Sequence, residues 1–122
     1  MKNSNAFYIL RLKEGVMDRL FADTLPDILK QLDVTVLTQV VLHKILELDE
    51  RDLDNPSKIS YTSKVSEAID AVRKGGYALA FIMNPTKIEQ VQKVADARLI
   101  MPRKSTYFYP KVITGLVLNK ID

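Results

Sequence analysis

The chain has 122 residues, of which 47% are hydrophobic and 27% charged, and its formal net charge is +3. This length suits a single domain over residues 1–122, and the apolar fraction excludes a largely disordered chain. The absence of cysteine excludes disulfides, thiolate nucleophiles and zinc–thiolate sites. No apolar run approaches the roughly 20 residues needed to span a bilayer, and the net charge alone does not indicate nucleic-acid binding.

The amino-terminal part begins with polar residues and continues into an apolar segment. Residues 1–5 lack the apolar stretch of a signal peptide, which predicts a cytoplasmic protein. Residues 7–12 are rich in aromatic and branched side chains and are predicted as a strand. Residues 17–25 are ambiguous, because apolar residues there have helical spacing whereas Pro26 excludes a long helix.

Apolar residues recur at steps of three and four between Asp33 and Leu48, which predicts a helix over 33–48. His43 lies beside this stripe, where a partly buried structural histidine is favoured over a catalytic one. Because it is the only histidine, the chain alone cannot build a Ser-His-Asp triad or a paired-histidine metal site.

The segment that follows is acidic. Residues 47–54 carry five acids and one base, and Asn55-Pro56-Ser57 comes next, so 49–57 is predicted as an internal polar connection. An EF-hand calcium loop needs Gly at its sixth position and Glu at its twelfth, and no register here supplies both. A solvated acidic loop is therefore favoured over a metal site.

Alternating strand and helix signals fill the second half of the chain. Residues 59–62 alternate like a short strand, Ser63 is a candidate helix cap, and residues 65–72 have helical spacing. Gly75 and Gly76 are suited to the left-handed conformation that closes a helix.

The next apolar run, 77–83, contains no charge and is predicted as a central buried strand. Thr86 and Glu89 have the spacing of a capping box that opens a helix ending near Ala97, and 112–118 is the last predicted strand. The order β-α-β-α-β-α-β, with four strands and three main helices, predicts an α/β fold, or α+β if the first strand pairs antiparallel.

The loop before the last strand has the most unusual composition in the chain. Three cations, two hydroxyl residues and three aromatics fall within residues 101–111, with no acid among them. Cations beside hydroxyls and backbone amides are the groups that bind phosphate, which predicts an anion-binding loop over 103–111. The glycines of a phosphate-cradling loop are absent. The alternative is that the aromatic rings begin the last strand and fill the core.

Asn84 follows the predicted central strand, where open α/β sheets bind ligands, although Asn-Pro is equally an ordinary turn signal. No catalytic residue, cofactor or metal ligand is assigned. The candidate ligand-binding residues are Arg103, Lys104, Ser105, Thr106, Tyr107, Tyr109, Lys111 and Asn84.

Residues 32–37, the Gly-Tyr-Ala-Leu-Ala-Phe-Ile-Met-Asn-Pro segment from Gly76 to Pro85, and the Met-Pro-Arg-Lys-Ser-Thr-Tyr-Phe-Tyr-Pro-Lys string over 101–111 resemble the domain-of-unknown-function family numbered 1015. The family occurs in bacteria and archaea, has no established reaction, and its members are much longer. The resemblance implies that this chain is a carboxyl-terminal fragment, with the remainder of the longer chain as a partner. It also implies that an active site would need residues outside this chain.

Three functions follow as hypotheses. The first is a lobe of a larger enzyme or binding protein that binds a phosphate-bearing ligand through the 103–111 loop. The second is a non-catalytic interaction module that contacts the remainder of the longer chain or a second copy. The third, nucleic-acid binding, is least favoured because it requires a broader basic surface than this loop offers.

Overall fold

The computed structural model describes residues 6–106, and this part of the chain is helical. Helices account for 45% of the described residues, and none of those residues forms a strand. The elements are α1 (Val16–Phe21), α2 (Asp27–Lys30), α3 (Asp33–Val36) continuing into a π-helix (Leu37–Ile45), α4 (Glu50–Leu53), α5 (Val65–Arg73) and α6 (Ile88–Asp96). No helix in this range is both long enough and apolar enough to cross a membrane.

The predicted α/β fold is wrong. Residues 7–12, 59–62 and 77–83 all lack the ladder pairing that defines a strand. The composition of these segments favours an extended backbone, but a strand also needs a neighbouring strand that satisfies its N–H and C=O groups. The predicted last strand, 112–118, lies outside the described residues.

Helix α2 is the centre of the packing, because it contacts α1, α3 and α6. The two most deeply buried apolar side chains are Leu32, just after α2, and Val94 on α6. Lys30 is also buried, and its ammonium lies 2.8 Å from Asp27 Oδ1 and 3.3 Å from Asp18 Oδ1. The pair with Asp18 connects α1 to α2, and the hydrogen bond to Asp27, within α2, is the main cause that raises the pKa of Lys30.

The helix predicted over 33–48 exists but is not a regular α-helix. After one α-helical turn it widens into the π-helix, which ends when the Leu46 N–H donates to Val41 O at 2.9 Å. His43 is partly buried at this end, with Nδ1 2.6 Å from Leu48 O and Nε2 3.3 Å from Glu50 Oε1. The histidine therefore connects the π-helix to α4 and is partly buried, as predicted, whereas its structural role stays a prediction.

Both long helices of the second half end in the same capping motif. At the end of α5, Gly75 has a positive φ of 80°, and the Gly76 N–H donates to Ala71 O at 3.0 Å. This confirms the predicted closure at Gly-Gly. At the end of α6, Arg98 has a φ of 55° and the Leu99 N–H donates to Val94 O at 3.0 Å, so a non-glycine residue occupies the left-handed position.

The predicted amino-terminal caps of these helices are wrong. Lys64, and not Ser63, precedes α5, and the Thr62 hydroxyl accepts a hydrogen bond from the Lys64 N–H at 3.1 Å. Helix α6 begins after Lys87, whose N–H donates to Gln90 Oε1 at 2.9 Å. The Thr86 hydroxyl, predicted to cap α6, instead donates to Ser105 O.

The acidic connection predicted over 49–57 contains α4, whose first turn is capped by its own carboxylates. The Asp52 N–H donates to Asp49 Oδ1 at 2.9 Å, and the Asp49 N–H donates to Asp52 Oδ2 at 3.2 Å. Asp52 also pairs with Lys58. Asp49 and Asp54 are nevertheless exposed to solvent.

Candidate functional site

The described part of the predicted ligand loop forms a tight turn over residues 102–105. Lys104 has a φ of 56°, which is rare for a residue with a side chain. Two hydrogen bonds hold the turn: the Ser105 hydroxyl donates to Pro102 O, and the Thr86 hydroxyl donates to Ser105 O at 2.8 Å. The second bond fixes the turn against the segment that leads into α6.

Arg103 holds a carboxylate of the same chain. Its Nη1 donates to Asp54 Oδ2 at 2.9 Å, and its Nη2 donates to Asp54 Oδ1, so the pairing is bidentate. The hydrogen bond from Arg103 is the main cause that lowers the pKa of Asp54, and the same bond raises the pKa of Arg103. The planar fork of a guanidinium fits the two oxygens of a carboxylate or phosphate in this way.

Lys104 is exposed, and its ammonium has no hydrogen bond or ion pair to any residue in the range 6–106. Its positive charge nevertheless contributes to the lowered pKa of Asp54. The turn therefore presents two cations to one carboxylate: Arg103 by direct contact and Lys104 by longer-range attraction.

An open cleft of about 540 Å³ lies between the start of α3 and the start of α6. Its volume is within the range of small-molecule sites. Thr86 lines the cleft, and its hydroxyl donates the hydrogen bond to Ser105 O that holds the 102–105 turn. The cleft and the turn are therefore adjacent. The lining residues are Leu32, Asp33, Val34, Asn84, Pro85, Thr86, Lys87 and Gln90.

Asn84, predicted as a ligand residue at the end of a strand, lines this cleft although the strand is absent. Its Nδ2 donates to Asp33 Oδ2 at 2.9 Å across the cleft walls. Lys87, on the same wall, has no ion pair to the described residues. The cleft thus carries a cation, Lys87, and an amide that donates to the Asp33 carboxylate, beside the basic turn.

The structure brings together only part of the predicted set. Arg103, Lys104 and Ser105 lie on one turn, and Thr106 is exposed beside it. Asn84 lies on the segment that Thr86 connects to this turn. Tyr107, Tyr109 and Lys111 lie outside the described residues.

Sequence reasoning missed three contributors to this region. Asp54 lies in the acidic connection, and its pairing with Arg103 spans 49 positions, which no local pattern reveals. Lys87 and Asp33 were overlooked because the cleft that they line is formed by segments far apart in the chain. The one available signal was the opposite charge of the two segments, acidic over 47–54 and basic over 101–111.

No protein-family model, no curated protein and no solved structure matches this chain. The resemblance to the family numbered 1015 stays a prediction. Within residues 6–106, no group of three or more histidine or acidic side chains is arranged to hold a metal ion.

Proposed function

We propose that this domain binds an anionic, phosphate-bearing ligand at the turn 102–105 and the adjoining cleft. The observation that supports this proposal most strongly is the bidentate hydrogen bonding of Arg103 to the Asp54 carboxylate. Arg103 on the turn already binds a carboxylate of the same chain, and Lys104 adds a second positive charge to the turn. The proposal assigns binding and leaves the reaction, if any, to residues elsewhere.

Each part of the site has a separate task. Arg103 and Lys104 supply charge and hydrogen-bond donors to the anionic group. Thr86 and Ser105 fix the turn, since their hydroxyls are already engaged by backbone carbonyls. Asn84 and Lys87 line the cleft in which the rest of the ligand would lie. The cytoplasmic location inferred from residues 1–5 stays a prediction alongside this function.

A thermal-shift titration of the whole chain with inorganic phosphate tests the proposal. At 100 times its dissociation constant, a ligand stabilises the folded state by about 2.7 kcal/mol, which raises the Tm of a domain this size by several degrees. We expect such a rise for the wild type and a much smaller one for Lys104→Ala.

Lys74→Ala is the matched control for Lys104→Ala. Lys74 is also an exposed lysine, but it follows α5 and lines neither the turn nor the cleft. It should leave the phosphate-dependent rise intact. Equal losses in the two variants would show that phosphate acts through general charge, and the proposal would then be wrong.

A second candidate function, a non-catalytic interaction module, is favoured by individual apolar side chains that are almost fully exposed. Ile9 is 93% exposed and Ile100 is 88% exposed. Sedimentation analysis between micromolar and millimolar concentrations tests the version in which a second copy covers this surface. The exposed large apolar residues of the described range are Phe7, Tyr8, Ile9, Leu10, Leu12, Leu20, Ile45, Leu46, Tyr61, Val65, Ile82, Met83, Ile88 and Ile100.

A further inference from the structure

Asp54 occupies the position in which the proposed anionic ligand would bind. Both carboxylate oxygens accept hydrogen bonds from Arg103, and no donor of that guanidinium contacts another acidic side chain of residues 6–106. An exogenous anion that uses the same fork of donors must therefore displace Asp54.

From this geometry we propose that Asp54 is a built-in competitor that restricts the site to dianionic phosphate monoesters. The inference rests on the proposed function, because it concerns the same turn. It adds the class of ligand and the reason why anions with a single charge bind poorly.

Asp54 has an advantage in concentration over any free anion. A carboxylate tethered to the same chain competes with an effective concentration in the millimolar range or above. A free carboxylate makes the same two hydrogen bonds as Asp54 and gains no additional contact, so it competes poorly. Simple carboxylates should therefore bind the wild-type turn more weakly than ligands that make a further contact.

A phosphate monoester has two advantages over Asp54. It carries about −1.5 to −2 charges at pH 7 and three acceptor oxygens, whereas a carboxylate carries one charge and two oxygens. The third oxygen and the extra charge can engage Lys104, whose ammonium is unpaired among residues 6–106. A phosphate diester has only one charge and loses this advantage.

The pair Asp54–Arg103 is also suited to exchange. Asp54 is 61% exposed and Arg103 44% exposed, so water can solvate each group as soon as they separate. Exposed ion pairs contribute little to stability, and opening this one is therefore inexpensive. A buried pair would instead exclude any ligand by the cost of leaving one charge unpaired.

The test is a set of binding titrations on the whole chain with phenyl phosphate, dimethyl phosphate and acetate at pH 7.5. For the wild type we expect saturable binding of phenyl phosphate only. Asp54→Asn should bind phenyl phosphate about threefold to tenfold more tightly, because the competitor is removed. The same variant should also acquire measurable acetate binding.

Asp70→Asn is the matched control, since it makes the same charge change on an exposed residue of α5 that has no side-chain partner among residues 6–106. Its affinity for phenyl phosphate should change by less than about twofold. Equal affinities of the wild type and Asp54→Asn for phenyl phosphate would overturn the competitor role while leaving the proposed function intact. Equal binding of all three anions to the wild type would overturn the selectivity. Absence of binding in every variant would overturn the proposed function itself, and the competitor role with it.

Discussion

Thr35 carries a polar hydroxyl group in a buried position. It is 4% exposed, and its buried hydroxyl has no hydrogen-bond partner among residues 6–106. A buried hydroxyl in this state loses its bonds to water and gains none in return. The residue therefore reduces the stability of the helix that carries it.

Replacing Thr35 with valine, which has the same shape without the hydroxyl, should raise the free energy of unfolding by about 1 kcal/mol. Urea denaturation of both proteins measures the change. Thr35→Ser keeps the hydroxyl and loses the methyl group, so it should lower stability. A less stable Thr35→Val would show that the hydroxyl has a partner in solution.

Arg98 has a strained backbone conformation. It occupies the left-handed position that closes α6, with a φ of 55°. A side chain costs about 1–2 kcal/mol in this conformation, whereas glycine adopts it freely. Gly75 holds the equivalent position after α5 without that cost.

Arg98→Gly should therefore raise the free energy of unfolding by about 0.5–1 kcal/mol, after allowing for the greater freedom of glycine in the unfolded chain. Lys93→Gly is the control, because it places glycine within α6 and should cost about 1 kcal/mol. Both are measured by urea denaturation. If both substitutions lowered the free energy of unfolding, the proposed strain at Arg98 would be contradicted.

At the scale of elements, the sequence predicted what local spacing determines. Helices α5 and α6 follow from apolar residues at helical steps, and the Gly75-Gly76 closure follows from the chemistry of glycine. The strands were wrong because pairing depends on distant segments. Residues 77–83 have a strand-like composition, yet Ile82 and Met83 are exposed and the described chain provides no partner strand.

The candidate site was predictable to the same extent. The composition of the 101–111 loop identified Arg103, Lys104 and Ser105 as a group, and the structure places them on one turn. Neither the contact of Arg103 with Asp54 nor that of Thr86 with Ser105 could be foreseen, because each joins segments far apart in the chain. The sequence thus indicated the chemistry of the site but not its occupant.

At the scale of the whole molecule, ion pairs make stability depend on pH. Hydrogen bonds from cations are the main cause that lowers the pKa of Asp52, Asp54 and Glu67, the donors being Lys58, Arg103 and Lys64 respectively. The unfolded chain then binds more protons than the folded chain in acid, so this contribution is full above the ordinary carboxyl pKa and is lost as pH falls below about 4.

We therefore expect the Tm to fall below about pH 4, and to fall slightly less steeply in Asp54→Asn, because the pair that this variant lacks is exposed and screened by solvent. Calorimetry between pH 2 and 7, under conditions where unfolding is reversible, measures both profiles. Superimposable profiles of the wild type and the variant, relative to their values at pH 7, would contradict a contribution from the Asp54–Arg103 pair.

A nuclear magnetic resonance titration with phenyl phosphate tests directly whether the 102–105 turn binds phosphate-bearing anions. Backbone amide signals of the ¹⁵N-labelled whole chain locate the binding site residue by residue. We expect saturable shifts confined to the turn, to residues 84–87 and to Asp54, whose carboxylate the ligand displaces, and we expect Arg103→Gln to abolish them. Saturable shifts that leave the turn unaffected, or no shifts at all, would contradict the proposed function.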